Sequence, residues 1–206
     1  PRTILLIARG DYRKGDYVLF DVLRKIDTLF TNVTVKVVVV NKDFILPVLH
    51  SKKNRYDIIQ GPLTRVKIFE LMQSSDIYVD TSFSEGFGLT ALESMAAGCI
   101  PVVSNSFGVM DYLVDFKNGL LVKEVNNADA FLDRIKLLMN DVNLCREIRI
   151  GMMNTIKKYD FIDRVREYEL VFCKKIKLPT NTHEALRSIE KTISNNILKM
   201  FIKRGS

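Results

Sequence analysis

An α/β fold built on a doubly wound, mostly parallel sheet is predicted by three observations. Apolar, β-branched runs alternate with segments of helical period along most of the chain. The strand runs are apolar without interruption, as residues 3–8 (TILLIA) show, which marks a sheet covered on both faces. Two glycines, Gly86 and Gly88, stand at a strand-to-helix junction, where sheets of this class place ligands.

Taken in order, residues 3–8 form the first strand and residues 17–30 a helix with its apolar stripe at Val18, Val22, Ile26 and Leu29. Residues 33–40 are the second strand, 43–51 a short helix, and 57–60 the third strand. A helix over 65–75 leads to the fourth strand at 77–79, and the glycine segment opens a helix ending at Gly98. A strand follows at 100–103, then the turn Asn118-Gly119 before a strand at 120–123. Helices over 128–139, 144–158 and 161–175 complete a domain of residues 1–178. Pro179 and Asn181 break the pattern, and residues 179–206 form a tail whose helix, 184–201, carries Leu186, Ile189, Ile193, Ile197 and Phe201 on one face. That helix docks on protein or, with Lys191, Lys199, Lys203 and Arg204, lies on an anionic membrane surface.

At 206 residues the chain suits one domain, able to bury roughly two-thirds of its unfolded surface. Its 47% hydrophobic and 27% charged residues are those of an ordinary globular protein. A net charge of +7 suits an anionic ligand or anionic lipid, although lysine-rich composition alone produces the same figure. Cys99, Cys145 and Cys173 are odd in number and widely spaced, and are expected to be reduced core thiols of a cytoplasmic protein. His50 and His183 are isolated, so no metal cluster is expected, and no apolar run is long enough to span a bilayer. The chain opens on Pro1 and enters a strand almost at once, as a fragment of a longer protein would.

The segment Ser82-Phe83-Ser84-Glu85-Gly86-Phe87-Gly88-Leu89-Thr90-Ala91-Leu92-Glu93 carries the chemistry. Glycines admit close approach of backbone amides to a ligand, and the new helix adds positive charge at its N-terminus. Glu85 before the glycines and Glu93 inside the helix flank this anion cradle. Such a layout suits a ligand that is anionic in the middle and hydroxyl-rich at both ends, as a nucleotide diphosphate sugar is. Gly86-x-Gly88-x-x-Ala91 also fits the dinucleotide fingerprint, but no acid follows the next strand, which ends Val103-Ser104-Asn105-Ser106. No nucleic-acid-binding module is recognisable.

This segment resembles the glutamate motif of retaining glycosyltransferases with two facing Rossmann-like domains, most closely family 4, the group 1 glycosyltransferases. Ala8-Arg9-Gly10-Asp11-Tyr12-Arg13-Lys14-Gly15 is similar to the family's diphosphate clamp, and Gly61-Pro62-Leu63 with Asp76-Ile77-Tyr78-Val79 to the stretch before its motif. The resemblance runs from about Thr3 to about Cys173 and covers the C-terminal, donor-binding half of such an enzyme. It implies that Arg9 and Lys14 hold the diphosphate with the amides of Gly88, Leu89 and Thr90, with Gly86 and Phe87 also in the donor site. Glu85 would grip the donor sugar and Glu93 the ribose, with the base near Gln60 and Gly61. Glu85, Arg9 and Lys14 are then the catalytic residues, with no cofactor and no metal. Phe107-Gly108 stands where the family often has a Gly-Gly turn, a departure from the pattern.

Each residue has a plainer alternative. Arg9 and Lys14 also read as solvated charge, Glu85 as a carboxylate on a helix N-terminus, and Glu93, placed between Leu89 and Ala96 on the edge of an apolar stripe, as half of an internal salt bridge. The expectation is transfer of a sugar from a nucleotide diphosphate sugar to a glycan or lipid-linked acceptor, metal-independent, with help from an N-terminal domain, in the cytoplasm or at its membrane face. The alternative is a domain that binds a nucleotide sugar or glycan without turnover.

Overall fold

The computed structural model describes residues 2–41 and 53–159, and those up to Ile156 belong to one compact unit. The expected helices at 43–51, 161–175 and 184–201, the boundary after residue 178, and Cys173 lie outside the described residues. The elements are β1 (Thr3–Ala8), a single 3-10 turn (Tyr12–Lys14), α1 (Asp16–Leu29), β2 (Thr34–Val39) and β3 (Arg55–Gln60). Next come α2 (Arg65–Gln73), β4 (Ile77–Asp80), α3 (Leu89–Ala96), β5 (Ile100–Ser104) and α4 (Phe107–Met110). β6 (Leu120–Val122), α5 (Ala128–Asn140) and α6 (Val142–Lys158) complete them.

Every strand pair is parallel, and the order is β3-β2-β1-β4-β5-β6. The expected doubly wound sheet is therefore present. β1 is central, with Ile4 opposite both Val35 and Ile77. Ile4, Leu5 and Leu6 have no exposed surface, so successive side chains, which point to opposite faces, are both covered. α1 packs through Val18, Leu19, Val22, Leu23 and Ile26. Leu29, expected on that stripe, is half exposed because the chain turns inward at Phe30, which is buried in its place.

Polar side chains fasten the edge of the sheet. Buried Asn54 accepts from the Val33 amide at 3.0 Å and donates to the Phe30 carbonyl at 3.0 Å and Asp27 at 2.7 Å. Its full satisfaction offsets the cost of its burial. Thr64 caps α2 by accepting from the Lys67 amide, and Asn127 caps α5 by accepting from the Asp129 amide. Cys99 and Cys145 are buried free thiols, and burial pushes both thiols up from their usual range. No helix among the described residues is long and apolar enough to cross a membrane.

Leu5→Ala and Leu6→Ala sit on opposite faces of β1, and each should cost about 2–5 kcal/mol through the cavity left behind. Urea denaturation of both variants checks this. A near-neutral result for either one would mean that its face of the sheet is not packed.

Candidate functional site

The chain leaves β1 toward β2 and leaves β4 toward β5, so the sheet changes direction between its two central strands. A crevice opens there beyond the carboxyl ends of the strands, the usual ligand position in open α/β sheets. Two loops form its walls, one after β1 and one after β4.

The first loop is folded around Asp16, a buried residue at the start of α1. Its carboxylate accepts from the amides of Arg9 (3.1 Å), Gly10 (2.6 Å) and Asp11 (3.2 Å). Burial raises the Asp16 carboxyl above its ordinary range, while those amide hydrogen bonds pull it back. The second loop is stitched to the first. The Phe83 amide donates to the Arg13 carbonyl at 2.9 Å, and the Thr81 hydroxyl lies 3.1 and 3.0 Å from the Lys14 and Gly15 carbonyls.

The structure joins four of the sequence-predicted residues in two pairs and gives a fifth, Glu93, a partner from outside that set. Arg9 donates through Nη2 to the Thr90 hydroxyl at 3.1 Å. Lys14 Nζ contacts Glu85 Oε1 at 2.5 Å, both side chains being about four-fifths buried (22% and 18% exposed). Glu93 meets Arg65 at 3.1 Å, a salt bridge at the surface and not the internal one foreseen as its plainer alternative. The stripe through Leu89 and Ala96 is not the packed face of α3: both are exposed, and Ala91, Ser94 and Met95 are buried instead. Glu93 thus faces a cleft rather than the core. That cleft, of about 250 Å³, is lined by Arg9, Pro62, Leu63, Arg65, Thr90 and Glu93 among others. Gln60 and Gly61 are engaged elsewhere, the Gln60 amide and the Gly61 N–H both donating to the Val39 carbonyl. The next two residues, Pro62 and Leu63, reach the cleft in their place.

The two motif glycines have different physical reasons. A Cβ on Gly86 would meet nothing within 4 Å, so that position keeps space open in front of the loop. Gly88 begins α3 at φ +75°, and a Cβ there would lie 2.4 Å from Val109 Cγ1 and 2.8 Å from the Tyr112 hydroxyl. Tyr112 donates to the Gly88 carbonyl at 2.6 Å and packs its ring 5.4 Å from that of Phe87. Gly88 supplies no capping side chain, which leaves the first amides of α3 for another acceptor. The short helix α4 supports the motif from behind, with Gly108 packed against the backbone from Glu85 to Phe87, while Phe107 is exposed.

Asp16, Arg65 and Tyr112 were not among the residues singled out from sequence. Asp16 does carry a signal, an acid in the first turn of a helix directly after Lys14-Gly15. Arg65 and Tyr112 carry none. On and beside the two loops, Arg9, Lys14 and Arg65 stand near Glu85 and Glu93, and the N-terminus of α3 adds partial positive charge. The arrangement can hold an anion at its centre while two carboxylates accept from hydroxyls on either side.

Residues 1–151 match the family described as "Glycosyl transferases group 1". A stretch of 96 residues is 33% identical to the N,N'-diacetylbacillosaminyl-diphospho-undecaprenol alpha-1,3-N-acetylgalactosaminyltransferase of Campylobacter jejuni, covering 47% of this chain and 25% of that protein. The fold is similar to the crystal structure of the C-terminal domain of a group 1 family glycosyl transferase from Francisella tularensis. That likeness has a TM-score of 0.58 and 19% identity, over 76% of this chain and 85% of that one. It is also similar to Anabaena HepE in complex with UDP and glucose, with a TM-score of 0.67 and 17% identity over 84% of this chain and 48% of that one. At such identities these likenesses concern the fold alone.

Gly88→Ala should destabilise the domain by roughly 1–3 kcal/mol through its strained backbone and the clash with Val109. Gly86→Ala should stay within about 0.5 kcal/mol of the parent, because nothing in the protein occupies the space it would fill. Denaturant titration separates them, and equal losses would refute the distinction.

Proposed function

Because the chain belongs to the group 1 glycosyl transferases, we propose that it is the donor-binding domain of a retaining glycosyltransferase. It would move a sugar from a nucleotide diphosphate sugar to a glycan or lipid-linked acceptor, together with an N-terminal domain. The observation that carries this reading is the meeting of Arg9, Lys14, Glu85, Thr90 and Glu93 where the sheet changes direction.

In this reading the diphosphate lies over the N-terminus of α3 and takes the guanidinium of Arg9, already held in the cleft by Thr90. Lys14 turns from Glu85 to the diphosphate, and the freed Glu85 accepts from hydroxyls of the transferred sugar. Glu93 exchanges Arg65 for the ribose hydroxyls. That exchange is inexpensive, since exposed ion pairs contribute only about 0–1 kcal/mol, and Arg65 is 79% exposed. The base rests on the apolar floor of Pro62 and Leu63.

As the bond from the anomeric carbon to the diphosphate oxygen breaks, negative charge grows on the leaving group. Arg9, Lys14 and the helix amides would stabilise it, the electrostatic work a metal would otherwise do. The acceptor oxygen attacks from the face the diphosphate leaves, and its proton passes to the departing phosphate oxygen, so configuration is retained. A cytoplasmic location agrees with the buried free thiols. A lipid-linked acceptor would bring the enzyme to the membrane face.

Calorimetric titration with UDP-, GDP-, ADP- and dTDP-sugars and with the bare diphosphates tests the reading. Arg9→Ala and Lys14→Ala should each weaken diphosphate binding by roughly 1.5–3 kcal/mol while sparing nucleoside. Glu93→Gln should weaken the bare diphosphate by about 1–3 kcal/mol, whereas Glu85→Gln should weaken only the intact nucleotide sugar. Equal losses from both glutamate variants on the bare diphosphate would overturn the role assignment. No binding of any nucleotide by the parent chain would overturn the function.

A further inference from the structure

We propose that Tyr12, Tyr17 and Phe83 form a stacking platform for a pyranose ring of the acceptor, a proposal that rests on the donor-binding reading above. The Tyr12 ring stacks on Tyr17 at 5.5 Å with 21° between planes, and lies 6.0 Å from Phe83. Tyr17 and Phe83 are 5.4 Å apart, which closes the trio. Tyr12 is nonetheless 76% exposed, because its partners cover one face and leave the other open. A lone exposed aromatic needs no explanation. Three rings clustered across two loops, with an open face outward, form a built surface.

The platform is held in place from both sides. Tyr17 donates through its hydroxyl to Asn126 Oδ1 at 2.9 Å, and the backbone of Phe83 is bonded to that of Arg13. Its position follows from the chain. Tyr12 opens the 3-10 turn that ends at Lys14, and Phe83 precedes Glu85 by two residues, so their backbones are no more than about 7 Å apart. A ring seated here would lie near the sugar that Glu85 is proposed to hold.

The occupant follows from the chemistry of the rim. Asp11 and Arg13 pair at 2.9 Å beside Tyr12, and Asn126 lies beyond Tyr17. A pyranose presents an apolar C–H face to an aromatic ring and a belt of hydroxyls to such a rim. A lipid chain would offer this polar rim no hydrogen bond. Rigid tyrosines supply this contact at low entropic cost.

Saturation-transfer NMR on the chain, with and without the nucleoside diphosphate that binds most tightly, tests the proposal. The probes are the methyl α-glycosides of glucose, galactose, mannose and N-acetylglucosamine, with irradiation confined to aromatic protons. At least one glycoside should receive saturation on its ring protons. That signal should fall roughly five- to tenfold in Tyr12→Ala and persist in Tyr12→Phe, which keeps the ring. Nucleotide affinity should stay within about twofold in both variants, because the Tyr12 side chain stacks on Tyr17 and Phe83 while its backbone carbonyl, kept in both variants, holds the turn. Nucleotide binding with no glycoside signal, or a signal unchanged in Tyr12→Ala, overturns the platform. A Tyr12-dependent glycoside signal without nucleotide binding keeps the platform and removes the donor reading instead.

Discussion

The site exists because two loops that leave neighbouring strands in opposite directions are tied to one another. Without that tie, the loops after β1 and β4 would be joined through side chains alone, as Lys14 with Glu85 and Tyr12 with Phe83. The bond from the Phe83 amide to the Arg13 carbonyl and the contacts of Thr81 with the Lys14 and Gly15 carbonyls close the gap. Gly15 permits the approach: at φ +64° it offers the Thr81 carbonyl a place that a Cβ would occupy at 2.0 Å. The ion pair of Lys14 with Glu85 sits on this seam, so its geometry is inherited from backbone contacts rather than created by the charges. Preorganisation of this kind spares a ligand the cost of ordering the loops.

Asp16 does for the first loop what a ligand does for the second. Three consecutive amides converge on its carboxylate, an anion site filled by the protein's own side chain. This makes that loop a fixed frame from which Arg9 and Lys14 project. Around α3 the corresponding amides are left open, since Gly88 cannot cap them. One anion cradle is therefore structural and the other free, although both lie at the ends of adjacent strands. The occupied one carries the cations Arg9 and Lys14, and under the proposed function the open one would take the diphosphate.

How much of this was legible depended on the range of each interaction. The strands could be read because β-branched runs such as TILLIA report burial residue by residue. The 3-10 turn at Tyr12–Lys14 and the helix α4 were missed, since three or four residues show no period. The third strand begins two residues earlier than its apolar run, at Arg55, because pairing with Thr34 in β2 sets its start. Arg9, Lys14, Glu85 and Glu93 could be singled out by position and resemblance, but not their partners. Lys14 and Glu85 are 71 residues apart, and Tyr112 lies 24 from Gly88, separations at which local pattern carries no information. Arg65 looks like any surface arginine until α2 and α3 are placed side by side.

The two ion pairs, one lining the cleft and one on the seam between the loops, also yield at different cost. Arg65 and Glu93 are at the exposed mouth, where water screens the pair and either side chain can be released cheaply. Lys14 and Glu85 are sheltered, so parting them requires that both charges find new partners at once. A ligand with hydroxyls alone would satisfy Glu85 and strand Lys14, and one with phosphate alone would do the reverse. An intact molecule that bears an anion beside a polyol meets both demands together. In the reading proposed above, the sheltered pair would therefore favour the whole donor over either fragment, through its burial and not through any single contact.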